Sequence, residues 1–308
     1  MAIPIAIATA DIHIRSSIPA CRNDNFLEEQ FGKLEFIINI ANKYHVPIIV
    51  AGDLGHVAIW GDKLLSKVIP VLKKCDNEIL VIPGQHDLPY HRISQWEESA
   101  LSVLQSSNAI KVLLSGKPYT YIFKDIVKVS VNAFPYGVEI TNPDKNTKAD
   151  INIAVAHMMV IKNKPLWEGQ QASKSKILLK KFPEYDFIIT GDNHQTFTDT
   201  YQGQALINPG SMMRTTIDQI NHKPAIFVLY DDLTFKKIYI PIDSNAFEDN
   251  YIDNILSTDE ANKRLEAYID KLNNNIELAL SFEENMTKFL MDNAVEQEVK
   301  DIIWEHIE

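Results

Sequence analysis

The sequence of this 308-residue chain predicts an α/β (α+β layered) fold. Three observations carry that prediction. Short β-rich apolar runs alternate with segments of helical periodicity, the middle of the chain is dense in strand-like runs, and the apolar runs end abruptly on Asp and His. Hydrophobic residues at 45% and charged residues at 23% are ordinary for a chain that buries a sizeable core.

The elements follow in order. The apolar opening "IPIAIATA" reads as a strand that ends at Asp11; it lacks a basic leader and the length of a signal core. In "NFLEEQFGKLEFIINIANKY", Phe26, Leu27, Phe31, Leu34, Ile37, Ile38 and Ala41 recur at helical spacing. "VPIIVAGD" is a second strand, "GDKLLSKVIPVLKKC" a helix that Pro70 bends or breaks, "EILVIPG" a third strand, and "SQWEESALSVLQSS" a helix. Strands are then expected at "YTYIFKD", "IVKVSVNAFPYG", "INIAVAH", "DFIITGD", "ALINPGS" and "AIFVLYDD".

From about residue 242 the character changes. Ser257 with Glu260 and Ser281 with Glu284 form capping boxes ahead of two apolar stripes, so a core over 1–241 and an acidic helical extension over 242–308 are expected. The extension would either pack on the core or dock a partner. The net charge of −11 resides there: residues 241–308 carry 17 acids against 5 bases, while 1–240 carry 24 against 25. A ligand of the core therefore meets a nearly neutral surface that turns positive once divalent cations bind. Cys21 and Cys75 have no paired spacing, which argues against a disulfide framework and fits a reducing, cytoplasmic setting. No apolar run has the length of a membrane span, and no membrane partner is expected.

The strand ends are the informative feature. "AIATA" runs into Asp11 and His13, "IIVA" into Asp53 and His56, "LVIP" into Gln85, His86 and Asp87, "IAVA" into His157, and "FIIT" into Asp192 and His194. Five of the nine histidines sit at these five positions. In α/β sheets the C-terminal strand edge is where ligand sites assemble. Carboxylate, imidazole and amide donors without thiolate suit a hard or borderline divalent ion, and Asp53 is the candidate bridge of a dinuclear centre.

The ordered motifs Asp-Ile-His, Gly-Asp-Leu-Gly-His, Gly-Gln-His-Asp, an isolated His and Gly-Asp-Asn-His resemble those of the calcineurin-like metallophosphoesterase superfamily over residues 3–230. "GDLGH" and the chain layout are most similar to SbcD-type DNA repair exonucleases and their phage relatives, and "LINPGSMMR" resembles the turn that follows the last metal motif. The resemblance implies a metallophosphoesterase-type β-sandwich flanked by helices, with a small helical C-terminal extension. It also implies two divalent ions, manganese being expected and magnesium the alternative. Asp11, His13, Asp53 and His194 would hold one ion, and Asp53, Gln85, His157 and Asp192 the other. His86 would act as general acid, with His56 placing substrate and Asp87 either orienting His86 or capping a helix.

Two positions depart from the family pattern, which has Asn where Gln85 stands and His where Asp192 stands. A longer amide facing a shorter carboxylate is expected to compensate. The implied activity is that of a DNA exonuclease and single-strand endonuclease working through metal-activated water with an SbcC-type ATPase subunit, a homodimer being a further assembly it allows. A lysine-rich segment, Lys162, Lys164, Lys174, Lys176, Lys180 and Lys181, with Trp167 for stacking, would face the DNA backbone. Two other readings stay open: a phosphomonoesterase or small-molecule phosphodiesterase, and a non-catalytic scaffold subunit.

Overall fold

The computed structural model describes residues 2–124, 126–144, 146–163 and 172–247. The strands of the first half are β1 (Pro4–Thr9), β2 (Ile48–Val50), β3 (Ile79–Val81), β4 (Lys111–Val112), β5 (Tyr119–Phe123), β6 (Val127–Phe134) and β7 (Ile151–His157). Those of the second half are β8 (Val160–Ile161), β9 (Ser173–Lys174), β10 (Phe187–Gly191), β11 (Phe197–Tyr201), β12 (Gln204–Asn208), β13 (Ala225–Tyr230) and β14 (Phe235–Tyr239). The helices are α1 (Phe26–Tyr44), α2 (Asp62–Leu72), α3 (Ala100–Ser106) and α4 (Ser175–Lys181).

Two six-stranded mixed sheets form, in the orders β14-β13-β1-β2-β3-β4 and β11-β12-β10-β7-β6-β5. Their central strands are parallel; antiparallel strands close both edges of the second sheet and the β13-β14 side of the first, whose other edge strand, β4, is parallel. Both faces of each sheet are covered, because the strand side chains alternate between two apolar clusters. Ile49 of β2, Leu80 of β3 and Ile82 just beyond it point between the sheets to meet Val131, Ile153, Val155 and Phe187. Ile48, Val50, Ile79 and Val81 point the other way, against Leu34 and Ile37 of α1, Val68 of α2 and Leu101 of α3. On the outer face of the second sheet, Ala154, Ala156, Ile188 and Leu206 are covered by Leu178 and Leu179 of α4. The predicted α/β layering is therefore a β-sandwich flanked by helices.

Several local expectations are corrected. Pro70 does not break α2, which continues through it to Leu72; the proline has no N–H for the Ser66 carbonyl, so the last turn goes without one ladder bond. "SQWEESALSVLQSS" is not one helix: a 3₁₀ segment Ile93–Glu98 gives way to α3 at Ser99, whose hydroxyl accepts from the Leu101 N–H and restarts the chain. Within the lysine-rich segment, Ser175–Lys181 forms α4, on which Lys176, Lys180 and Lys181 are exposed. Lys164 and Trp167 lie outside the described residues, as do both expected tail helices. The described part of the extension reaches the core: Ala246 and Phe247 are buried, and Arg22 bonds Asp24, Glu29 and the Arg214 carbonyl while pairing through its backbone with Phe247. Among the described residues no helix is long and apolar enough to cross a membrane.

Candidate metal centre

Parallel pairing brings the C-terminal ends of β1, β2 and β3 to one edge of the first sheet, and those of β7, β10 and β12 to one edge of the second. Each strand then turns sharply. Asp11, His13, Asp53 and Asp192 all adopt left-handed φ values of 48°, 50°, 50° and 82°. Such a conformation costs a non-glycine residue on the order of 1 kcal/mol, and it persists only where surrounding structure enforces it. Here the turns after β1 and β2 zip together: Asp11 N–H donates to Gly52 O, His13 N–H to Asp53 O and Ile14 N–H to Leu54 O.

The turns deliver a compact donor set. The ligand atoms of Asp11, His13 and His194 lie within 4.8 Å of one another, as do those of Asp11, Asp53 and His157, and those of His13, Asp53 and His86. His13 Nε2 and His194 Nε2 face each other at 3.1 Å, and His13 Nε2 is 3.8 Å from Asp53 Oδ2. His157 donates its Nδ1 proton to Ala51 O at 2.7 Å, which leaves Nε2 aimed at Asp53 Oδ2, 3.3 Å away, without completing a hydrogen bond. Gln85 donates from Nε2 to Asp192 Oδ1 at 2.7 Å.

Asp53 Oδ2, His157 Nε2 and Gln85 Oε1 are buried and have no hydrogen-bond partner. Most buried polar atoms in proteins are satisfied, and while six other side-chain atoms among the described residues also lack a hydrogen-bond partner, these three belong to one donor set. Lone pairs converging from carboxylate, imidazole and amide are what a divalent cation requires, so the residues fit the metal that the sequence implies. Asp11, His13 and Asp53 each belong to two of the three groups.

The predicted non-ligand residues have distinct roles. His86 stands beside the centre, its backbone N–H bonded to Asp53 Oδ1 and its Nδ1 3.1 Å from the His56 carbonyl. The His56 ring stacks on His86 at 5.8 Å and lies 5.9 Å from His13. Asp87 does not bond His86. Its carboxylate accepts the N–H groups of Leu54, Gly55 and Gly84, tying the turn after β2 to the turn after β3.

The sequence reading passed over Asn208. Its Nδ2 donates to Asn193 O and Gln195 O while its Oδ1 accepts from Thr190, fixing the loop that carries Asp192 and His194. The following residues extend that brace, Ser211 N–H donating to His194 O and Met212 N–H to Asp11 O. The sequence signal was "LINPGS" itself, recognised as a turn but not as a brace.

Electrostatics show what the donors hold without metal. Burial pushes the Asp11 carboxyl up to about 8, with Asp53 adding to the rise. Burial opposes charge on both Asp53 and His157, yet each favours the other's charged form, so Asp53 falls to about 2 and His157 rises to about 10. Burial takes His13 down to about 3 and lowers His194 as well. At pH 7 the metal-free centre thus retains protons on Asp11 and His157 that a cation must displace. Manganese binding is expected to release on the order of one to two protons at pH 7, with apparent affinity rising toward pH 9. Calorimetry in two buffers of different ionisation enthalpy reads this number, and zero release would contradict the assignment.

The family model for calcineurin-like phosphoesterases matches residues 6–196. The chain belongs to that family. The family is one of metal-dependent phosphoesterases, and the donor set here is of the kind that could hold divalent metals. No curated protein sequence matches it. Among solved structures it is similar in fold to a putative 5'-nucleotidase from Staphylococcus aureus in complex with α-ketoglutarate, with a TM-score of 0.50 and 14% identity over 78% of this chain. It spans 54% of that protein's length. The protein TT1561 of Thermus thermophilus aligns at a TM-score of 0.48 and 11% identity, covering 78% of this chain and all of the other. An archaeal phosphodiesterase aligns at 0.40 and 14% identity, covering 76% and 98%.

Proposed function

We propose that the chain is a dinuclear metal-dependent phosphodiesterase acting on DNA, an exonuclease and endonuclease subunit of the SbcD type that works with an SbcC-type ATPase. The observation that carries the hydrolytic part is the unpartnered, fully buried Asp53 Oδ2, toward which His13 and His157 both turn. Support for DNA comes from the "GDLGH" motif and strand-end layout, together with exposed Lys176, Lys180 and Lys181 on α4.

Asp11, His13, Asp53 and His194 would hold one ion, and Asp53, Gln85, His157 and Asp192 the second. When bound, two such ions supply a water of lowered pKa and neutralise charge on the phosphate oxygens. The chain's own part is positional. The His56 carbonyl holds His86 through Nδ1, which leaves Nε2 as the nitrogen available to exchange a proton with the ester's leaving oxygen. Asp87 keeps the turns bearing Asp53 and His86 at a fixed separation.

Manganese-dependent release of nucleotides from linear duplex DNA, measured beside p-nitrophenyl phosphate hydrolysis, tests the proposal. Nucleotide release with slow monoester turnover is expected. Monoester turnover without DNA cleavage points to a phosphomonoesterase, and metal binding with neither activity to a scaffold.

The second ion's ligands are coupled in this reading, because Gln85 Nε2 holds Asp192 while Gln85 Oε1 is left for the metal. Gln85→Asn and Asp192→His should each weaken binding of the second ion about 10-fold or more, the usual cost of disturbing a ligand's support, and the double variant should recover most of the loss. Calorimetric titration with manganese checks this. A double variant no better than the singles would remove the coupling.

A further inference from the structure

Two residues of the metal centre, His157 and Asp192, also line a neighbouring pocket of about 510 Å³ whose character is different. Its floor is the apolar cluster on the outer face of the second sheet, formed by Ile140, Leu178 and Phe182, with half-buried Met158 at the junction. Its rim carries Glu139, Ser173 and Lys181. A larger cleft of about 930 Å³ lies where the chain enters β2 and β3, around His45, Pro47 and Glu78, and shares no residue with the centre.

We propose that the pocket beside the metal centre seats the nucleobase of the nucleotide whose phosphate is hydrolysed. This inference rests on the phosphodiesterase reading above. The ligand's chemistry follows from centre and pocket together: an anionic group at Asp53 and His157 once cations are bound, joined to a body with apolar faces and a polar edge. An alkyl tail would leave the carboxylate of Glu139, the hydroxyl of Ser173 and the ammonium of Lys181 without a role. A nucleobase presents ring faces to Met158 and Phe182 and ring-edge donors and acceptors to the rim.

Size narrows the choice further. The volume lies within the ~300–1,000 Å³ of small-ligand sites, room for one base with its sugar. The nucleotide must therefore leave its duplex stack to be cleaved, which favours frayed or single-stranded ends.

The test uses the metal-loaded full chain and two independent readouts. In calorimetry, thymidine 5'-monophosphate is expected to bind about 10-fold more tightly than deoxyribose 5-phosphate, the scale of one base contact. Val138→Trp, which fills the pocket from a half-buried position, and Lys181→Ala, an exposed change, should both shrink that ratio. In hydrolysis, thymidine 5'-(p-nitrophenyl phosphate) should be preferred over methyl p-nitrophenyl phosphate in the wild type and less so in Val138→Trp. Equal binding of the two monophosphates, or a ratio that neither variant changes, overturns the pocket. Hydrolysis of both diesters without base preference overturns it while the phosphodiesterase reading stands. Base-selective binding without hydrolysis of either diester supports the pocket and removes the phosphodiesterase reading instead.

Discussion

Asp53→Asn is expected to abolish metal-dependent hydrolysis, with a fall of about 10³-fold or more, while the chain still folds. The two halves of that expectation come from the two oxygens of one carboxylate. Oδ1 accepts the His86 N–H at 2.8 Å, a bond that an asparagine carbonyl can keep, so the turn after β3 remains tethered. Oδ2 is the buried atom with no partner, facing His157 at 3.3 Å and His13 at 3.8 Å. An amide nitrogen there presents a donor to a cation in place of a negative lone pair. Losing roughly 4 kcal/mol of charge stabilisation corresponds to about three powers of ten in rate.

The variant also rearranges the protons. Asp53 raises both Asp11 and His157, so removing its charge should lower both, and His157 should be largely neutral near pH 7 instead of cationic. In the parent chain these two raised groups make the metal-free fold lose stability as pH climbs, Asp11 between about 4 and 8 and His157 between about 6.5 and 10. In Asp53→Asn that alkaline loss should flatten. Manganese titration, steady-state hydrolysis and melting from pH 6.5 to 9 check the three parts. Wild-type manganese affinity in the variant would remove Asp53 from the centre.

The strand ends were legible because parallel strands covered on both faces read as continuous apolar runs, so an Asp or His at the end of one stands out. β1, β2, β3, β7 and β10 all announced themselves in this way. The edge strands β11 and β14 did not: they are half exposed, mix Thr, Asp and Lys with aromatics, and carry no apolar run. α4 was hidden for a related reason, since its lysines face water and only Ser175, Leu178 and Leu179 are buried. Asp87 illustrates a different limit. Of the two roles expected for it, orienting His86 or capping a helix, the cap is present as the bond from the Gly84 N–H, but its further partners Leu54 and Gly55 stand more than thirty residues away, beyond the reach of local motif reading. The role of Asn208 was obscured likewise, because its partners Thr190, Asn193 and Gln195 become adjacent only when β12 pairs with β10.

Gly52→Ala should cost about 3 kcal/mol of stability or expel His157 from the centre, because two independent constraints meet at this residue. Its φ is +88°, which an alanine adopts only at a penalty on the order of 1 kcal/mol. A Cβ there would also lie 2.0 Å from His157 Nδ1 and 2.4 Å from Cγ, well inside contact distance. The ring cannot simply swing aside. It is fully buried, and its Nδ1 is bonded to Ala51 O, the carbonyl immediately before Gly52. Relief must therefore come from moving the turn that carries Asp53 or from breaking the bond that aims His157 Nε2, and either movement degrades the same donor set. Gly32→Ala is the matching control: the residue is inside α1, an added Cβ meets nothing within 4 Å, and helix propensity alone should add up to ~1 kcal/mol. Urea midpoints for both variants, read beside manganese affinity, separate the outcomes. If Gly52→Ala matched the parent in both measurements, the close approach of β2's end to β7's would not be what sets the metal centre.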